Sequence, residues 1–228
     1  MRKQPSSEQA VSALLPAAGA RGGDRPQRDR IIDAIIDSCA EKTYAGTTIG
    51  DIVNRAHISR STFYKHFEDK RDCFDAAIEQ CLAQLQEVAA RAHSADDEPP
   101  GSVRKSAAAI LGALAARPGL AQLLTGDAVA VEPLLIERYR KVTIPAIEEL
   151  WRKSGEEPAG HTNPRLAFGR GQVLIFNQIA AGDAHRLLDL LPEIVYLAVS
   201  PFGGHEEAMR QAQLARESAN EGAFLGGR

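Results

Sequence analysis

"HISRSTFYKHFEDK", residues 57–70, gathers Ser, Arg, Thr, Lys and His around two Phe and one Tyr in a single short run. Hydroxyls, an ammonium and an imidazole are groups that meet base edges and phosphates, while rings four residues apart can root a short helix in a core. With Ser59 as N-cap, Phe63 and Phe67 fall on one side, toward Ile35 and Ile52. Ser61, Thr62 and Lys65 fall on the other, with Tyr64 and His66 at its two edges. That face suits a DNA major groove: small hydrogen-bonding groups approach base edges, and the Tyr hydroxyl and His ring reach phosphates on the two strands. Lys70, at the start of the next helix, is placed for a further phosphate. The competing reading is an ordinary surface helix, and on these residues alone both stand.

The elements that must position this face lie just upstream. Ile31, Ile32, Ile35, Ile36 and Cys39 make a broad apolar stripe over 27–42, predicting a first helix, with Gly46 breaking the chain after it. Thr48 is placed as an N-cap with Asp51 as the capping-box acid, and Ile49, Ile52, Val53 and Ala56 share one face of a second helix. Only a few residues separate Ala56 from Ser59. Two short helices so joined, with buried stripes on the same side, cross steeply, which is helix-turn-helix geometry.

Composition bounds the rest. The chain has 228 residues, 44% hydrophobic and 25% charged, an ordinary globular balance with room for one large domain or two small ones. Its formal charge of −3 is unevenly shared: residues 1–72 hold 12 Lys and Arg against 10 Asp and Glu, the remainder 15 against 20. A weakly basic head before an acidic body hints at a polyanion partner for the head alone. Cys39, Cys73 and Cys81 lack paired metal or dithiol spacing, so buried reduced thiols and a cytoplasmic setting are expected. No apolar run reaches the roughly 18 to 20 residues of a membrane span, so no membrane partner is expected. Residues 1–24, rich in Pro, Ser, Gly and Ala, read as a mobile tail, and Glu8 within "QPSSEQ" argues against a secretory signal there.

"TTIGDIVNRAHISRSTFYKHFEDKRDCF", residues 47–74, resembles the DNA-binding segment of the TetR family of bacterial transcriptional regulators. The resemblance implies an all-α fold, with a helix-turn-helix domain over 25–72 followed by a helical effector-binding and dimerisation domain over 73–228. It implies phosphate contacts from Thr48, Tyr64, His66 and Lys70 and groove contacts from Arg60, Ser61, Thr62 and Lys65. Two positions depart from the family pattern. His57 stands where the turn glycine is usual, at a site suited to the left-handed region that His visits more often than most residues. Val53 replaces a smaller Ala.

The body carries no comparable motif. Its spacing predicts helices over 69–92, 103–117, 119–125, 131–153, 164–181, 188–200 and 205–219, with "HSADDEPPGS" (93–102) as a loop and "PFGG" (201–204) as a breaker. Pro145 should kink its helix and open a cavity walled by Tyr139, Trp151, Phe168 and Phe176, with Gln172 and Asn177 as polar groups, suiting a small, largely apolar effector. The 164–181 segment is apolar on two faces, one with Leu166, Gly169, Val173 and Phe176, the other with Phe168, Ile175 and Ile179. Leu187, Leu191, Ile194, Val195 and Ala198 form a stripe which, under the resemblance, builds a four-helix homodimer interface. His57, His66, His93, His161, His185 and His205 are scattered, neither G-x-S-x-G nor H-E-x-x-H occurs, and "GRGQVL" lacks the third glycine of a dinucleotide fingerprint. No catalytic residue, metal or cofactor is therefore expected. The chain is thus expected to be a ligand-responsive regulator, more a repressor than an activator, that binds a double-stranded DNA operator of inverted-repeat form. A helical enzyme or carrier with a structural head is the alternative.

Overall fold

The computed structural model describes residues 26–94, 97–124, 135–155 and 159–225; the expected tail at 1–24 lies outside them. No strand occurs among the described residues. Helix α1, Gln27–Gly46, buries the predicted stripe Ile31, Ile32, Ile35, Ile36 and Cys39. It continues past its expected end through an irregular turn at Thr43, with φ 64° and ψ 163°. That region is essentially reserved for glycine, and a β-branched residue there is strained. The turn is held because Thr47 donates to the Thr43 carbonyl twice, from its N–H at 3.1 Å and from Oγ1 at 2.8 Å.

Helix α2, Ile49–Ala56, opens with both bonds of the capping box: the Asp51 N–H donates to Thr48 Oγ1 at 3.2 Å, and the Thr48 N–H to Asp51 Oδ2 at 2.9 Å. His57 closes it in the left-handed conformation, φ 52° and ψ 49°, so imidazole stands where glycine would be least strained. Helix α3, Arg60–Phe63, is a single turn capped by Ser59, whose Oγ accepts from the Thr62 N–H at 3.1 Å. Helix α4, Lys70–Arg91, is capped by Asp69 and buries Cys73, Phe74, Ala77, Ile78, Cys81, Leu85 and Val88 along one side. Burial pushes the Cys81 thiol up to about 12 and raises that of Cys73 as well, so both behave as small inert hydrophobes.

Helix α5, Pro99–Ala116, starts inside the expected loop. Pro99 and Pro100 take its first two positions, where a missing N–H deprives no helical carbonyl of a partner, and both are buried. Then come α6, Pro118–Gln122; α7, Leu135–Ser154; α8, Pro164–Ala180; a 3₁₀ segment, Ala184–Leu190; and α9, Leu191–Leu225. Residues 131–134 of the expected 131–153 helix lie outside the described residues. α5 is the body's centre, touching α4, α7, the 3₁₀ segment and α9. α9 is interrupted at Gly204, with φ 76°, inside the "PFGG" breaker. The α7–α8 connection lies against this break: the Ala159 N–H donates to the Phe202 carbonyl at 2.7 Å, and a Cβ on Gly160 would come within 2.2 Å of the Ser200 carbonyl oxygen. The span Ala184–Ser218 is long and apolar enough to cross a membrane, at mean hydropathy 1.3. Gly204 bends it, and Leu187, Val195, Val199, Ala208 and Ala215 are buried within the chain, as in a core helix.

Head and body meet where α1 packs on α4 and α6. Gly119 of α6 permits the approach, since a Cβ there would stand 2.9 Å from that of Ala40, and Arg117 comes within 4.0 Å of Asp33. Thr43→Gly should raise stability by about 1 kcal/mol, strain relief of about 1–3 exceeding the chain-entropy cost of about 0.5–1. Urea unfolding measures it, and a lower midpoint would contradict strain at Thr43.

Candidate nucleic-acid interface and ligand cavity

The single turn of α3 stands up because its apolar side is fully used. Phe63 and Phe67 are buried with ring centroids 5.8 Å apart. Beyond Phe63 the chain winds more tightly, with the Lys65 N–H on the Thr62 carbonyl and the His66 N–H on that of Phe63 at 2.9 Å. The outward set is therefore Arg60, Ser61, Tyr64, Lys65 and His66, all exposed, with Thr62 half-buried. Tyr64, 51% exposed, stacks edge-on against Phe63, which fixes its ring while leaving the hydroxyl outward. Ser59 Oγ lies 2.8 Å from Ser61 Oγ and 2.9 Å from Thr62 Oγ1, so the three hydroxyls form one cluster.

Two residues expected at phosphates have other work. The Lys70 ammonium donates to the carbonyls of Tyr44 and Thr47, each at 2.8 Å, and lies 4.1 Å from the centroid of the Tyr44 ring. Two protons are on carbonyls at the end of α1 and the third side faces an aromatic ring, which leaves no donor for a phosphate in this geometry. A lysine placed by spacing at a helix start reads as exposed; the irregular end of α1 that it closes is not visible in one dimension. Thr48 is exposed, but its hydroxyl donates to Asp51 Oδ2 at 2.7 Å within the cap. Hydrogen bonds from Lys42, at 2.6 Å, and from Thr48 hold the Asp51 carboxyl well below the usual carboxylate range. Arg28, which no spacing signal marked, lies with its guanidinium 5.4 Å from the Phe67 centroid, beside this face.

In the body, α4, α5, α7, α8 and α9 line a cavity of about 590 Å³. Tyr139, Phe168 and Gln172 line it. Trp151 does not: it is buried behind the wall, its ring 5.3 Å from that of Phe202, which does line it. Phe176 and Asn177 are exposed on the far side of α8, because the helical period puts 168, 172 and 175 on the cavity face and 166, 173 and 176 on the outer one. α7 runs through Pro145 as one helix, and its neighbours Ile144 and Ala146 reach the wall. The cavity owes more to small side chains, notably Ala89, Ala107, Ala167 and Gly171, and the run "SAAAILGALAA" in α5 was the available signal.

The stripe expected at a dimer interface faces the other way. Leu187, Leu191 and Val195 are 0%, 5% and 0% exposed within the single chain, where the 3₁₀ segment and α9 pack on α5. Ile194 and Ala198 line the cavity. The regular stripe goes to the core, and the outer face of α8 is what remains: Leu166, Val173 and Met209 of α9, 68%, 57% and 49% exposed, edge an apolar groove that also includes Tyr196. Arg216 and Glu193, 3.7 Å apart, mark its polar rim. No group of three His, Cys, Asp or Glu able to hold a metal occurs among the described residues.

Residues 31–77 match the model of the bacterial regulatory proteins of the tetR family. Over 61 residues the chain is 33% identical to the biofilm operon icaADBC HTH-type negative transcriptional regulator IcaR of Staphylococcus aureus (strain Newman), covering 27% of this chain and 33% of that protein. It is 33% identical over 92 residues to the uncharacterized HTH-type transcriptional regulator YxbF of Bacillus subtilis (strain 168), covering 40% and 24% respectively. The matches thus span a third or less of those relatives' length. Among solved structures, the fatty acid degradation regulator FadR of Bacillus halodurans superposes with a TM-score of 0.64 at 18% identity, over 78% of this chain and 97% of that one. FadR of Bacillus subtilis, in complex with stearoyl-CoA, gives 0.64 at 17% identity, over 76% and 98%. At such identities these likenesses show the fold. Lys70→Met should lower stability by about 1–3 kcal/mol through the lost charged hydrogen bonds, while Lys65→Met leaves it unchanged. The reverse order in urea unfolding would put the Lys70 ammonium in solvent.

Proposed function

From the match of residues 31–77 to the tetR family of bacterial regulatory proteins, we propose that this chain belongs to that family and is a cytoplasmic, ligand-responsive transcriptional repressor rather than an enzyme. In this reading it binds an inverted-repeat operator as a homodimer. The observation that carries the reading is the exposed face of α3: Ser61, Tyr64, Lys65 and His66 point outward from a turn whose other side is buried. Arg60, Ser61 and Lys65 read base edges, and Tyr64 and His66 grip phosphates. The sense of repression is supported by the negative regulator IcaR, to which this chain is 33% identical over 61 residues.

The second copy covers the groove on the outer face of α8, where Leu166, Val173 and Phe176 leave an apolar stripe at helical spacing. The effector occupies the central cavity and is a largely apolar molecule. The stearoyl-CoA complex of the Bacillus subtilis neighbour supports an apolar chain as its kind of ligand. α5 lines the cavity and ends at Ala116; the next residue, Arg117, approaches Asp33, and Gly119 approaches Ala40. A ligand that displaces α5 therefore presses on α1 and through it on the head. Linkage requires reciprocity: a ligand that weakens DNA binding by some factor loses the same factor when DNA is bound, typically about 1–3 kcal/mol.

A duplex selected from random sequence should prove to be an inverted repeat in a mobility shift. Lys65→Ala should then change base preference at defined positions by about 1–3 kcal/mol, while Tyr64→Phe weakens all sequences alike. Failure to select any duplex would sink the regulator reading. Val173→Asp should dissociate the dimer by placing an unpaired carboxylate in the interface. Sedimentation showing an unchanged dimer would put the interface elsewhere.

A further inference from the structure

We infer that the cavity takes an uncharged ligand, a hydrocarbon body ending in a neutral hydrogen-bonding group such as an alcohol, ester or amide. The inference rests on the reading of the cavity as the effector site and narrows the chemical class.

Among the described residues the wall contains no Asp, Glu, Lys or Arg; its polar side chains are Gln86, His93, Ser106, Tyr139, Thr143 and Gln172. The Ser106 hydroxyl already donates to the Ala89 carbonyl at 3.0 Å. Basic side chains on the neighbouring turns of α4 and α5 are occupied elsewhere: Arg104 donates to Gln211 at 3.0 Å, Lys105 pairs with Asp97 at 2.6 Å, and Arg91 pairs with Glu87. Lys141 of α7 and Arg165 and Arg170 of α8 are exposed and are not part of the wall. A carboxylate or phosphate drawn into this space loses its water and meets no fixed cation, the costly case for a buried charge. A neutral head meets partners instead. Tyr139 and Thr143 stand one turn apart on α7, and Gln172 comes from α8, so a hydroxyl and an amide able both to donate and to accept face the space. At roughly 30 Å³ for a group the size of a water, a volume of about 590 Å³ houses a chain on the order of 15 to 20 atoms.

The test uses the full chain and three ligands with the same tail: dodecan-1-ol, dodecanoic acid and dodecanoyl-coenzyme A. Trp151, the single tryptophan, packs on Phe202 of the wall and reports binding by fluorescence, with thermal unfolding as a second readout. The alcohol should bind at least about tenfold more tightly than the acid or the thioester, and Gln172→Leu should weaken the alcohol but not dodecane. Equal or tighter binding of the acid or thioester overturns the inference, as does a tight acid complex lost in His93→Gln, which would assign the cavity to carboxylates. Failure of all three ligands to bind overturns it too. If the alcohol binds as expected yet leaves DNA affinity unchanged, the ligand class stands and the effector reading falls.

Discussion

One continuous buried stripe along α4 is the constraint on which the rest depends. Cys73, Phe74, Ala77 and Ile78 are fully buried at its start, and Cys81, Leu85 and Val88 carry the stripe into the body. A helix of 22 residues spans about 33 Å, so the same rod that begins beside α3 also supplies Leu82, Gln86 and Ala89 to the cavity wall. Cys73 and Cys81 are both buried in this stripe, and their burial removes the reactivity that exposed thiols would have. Recognition face and cavity are thereby two ends of one packed unit.

The head shows how little helix is needed when the caps are complete. A four-residue helix has no stability of its own, since nucleation is unfavourable and propagation never begins. α3 persists because Ser59 caps it, Phe63 and Phe67 are buried, and the preceding turn is set by His57 in the left-handed region. Around it, Lys42 pairs with Asp51, and Arg55 with Glu41. Such exposed pairs contribute little stability, but they neutralise charges at the edge of the face. Among the described residues neither Arg60 nor Lys65 enters an ion pair, so neighbours leave the positive charge of this turn unneutralised, as the proposed DNA contact requires.

The body follows a different logic, in which surplus apolar surface is divided among a core, a cavity and an outer groove. α8 serves all three: Ile179 packs against the core, Ala167, Phe168, Gly171 and Ile175 line the cavity, and Leu166 and Val173 remain exposed. α9 contributes on both sides of its break at Gly204, where the α7–α8 connection takes up the Phe202 carbonyl that a regular helix would have satisfied.

Local rules were enough for the head. Apolar spacing in Ile31 to Cys39, the Thr48–Asp51 box, the Ser59 cap and the Phe63 and Phe67 anchors each depend on neighbours within four residues, and the structure contains all of them. The start of α5 resembles a loop in sequence, because Pro99 and Pro100 are equally at home in a turn and in a first helical turn. What one dimension could not assign was which of two apolar faces turns inward. Leu187, Leu191 and Val195 make as good an interface stripe as a core stripe until α5 is seen lying against them. Periodicity states that a face is apolar; the partner that covers it is decided by contacts between residues far apart in the chain. Lys70 is the same case for a charge: its place at a helix start is local, but the carbonyls that take its protons belong to residues 26 and 23 positions earlier.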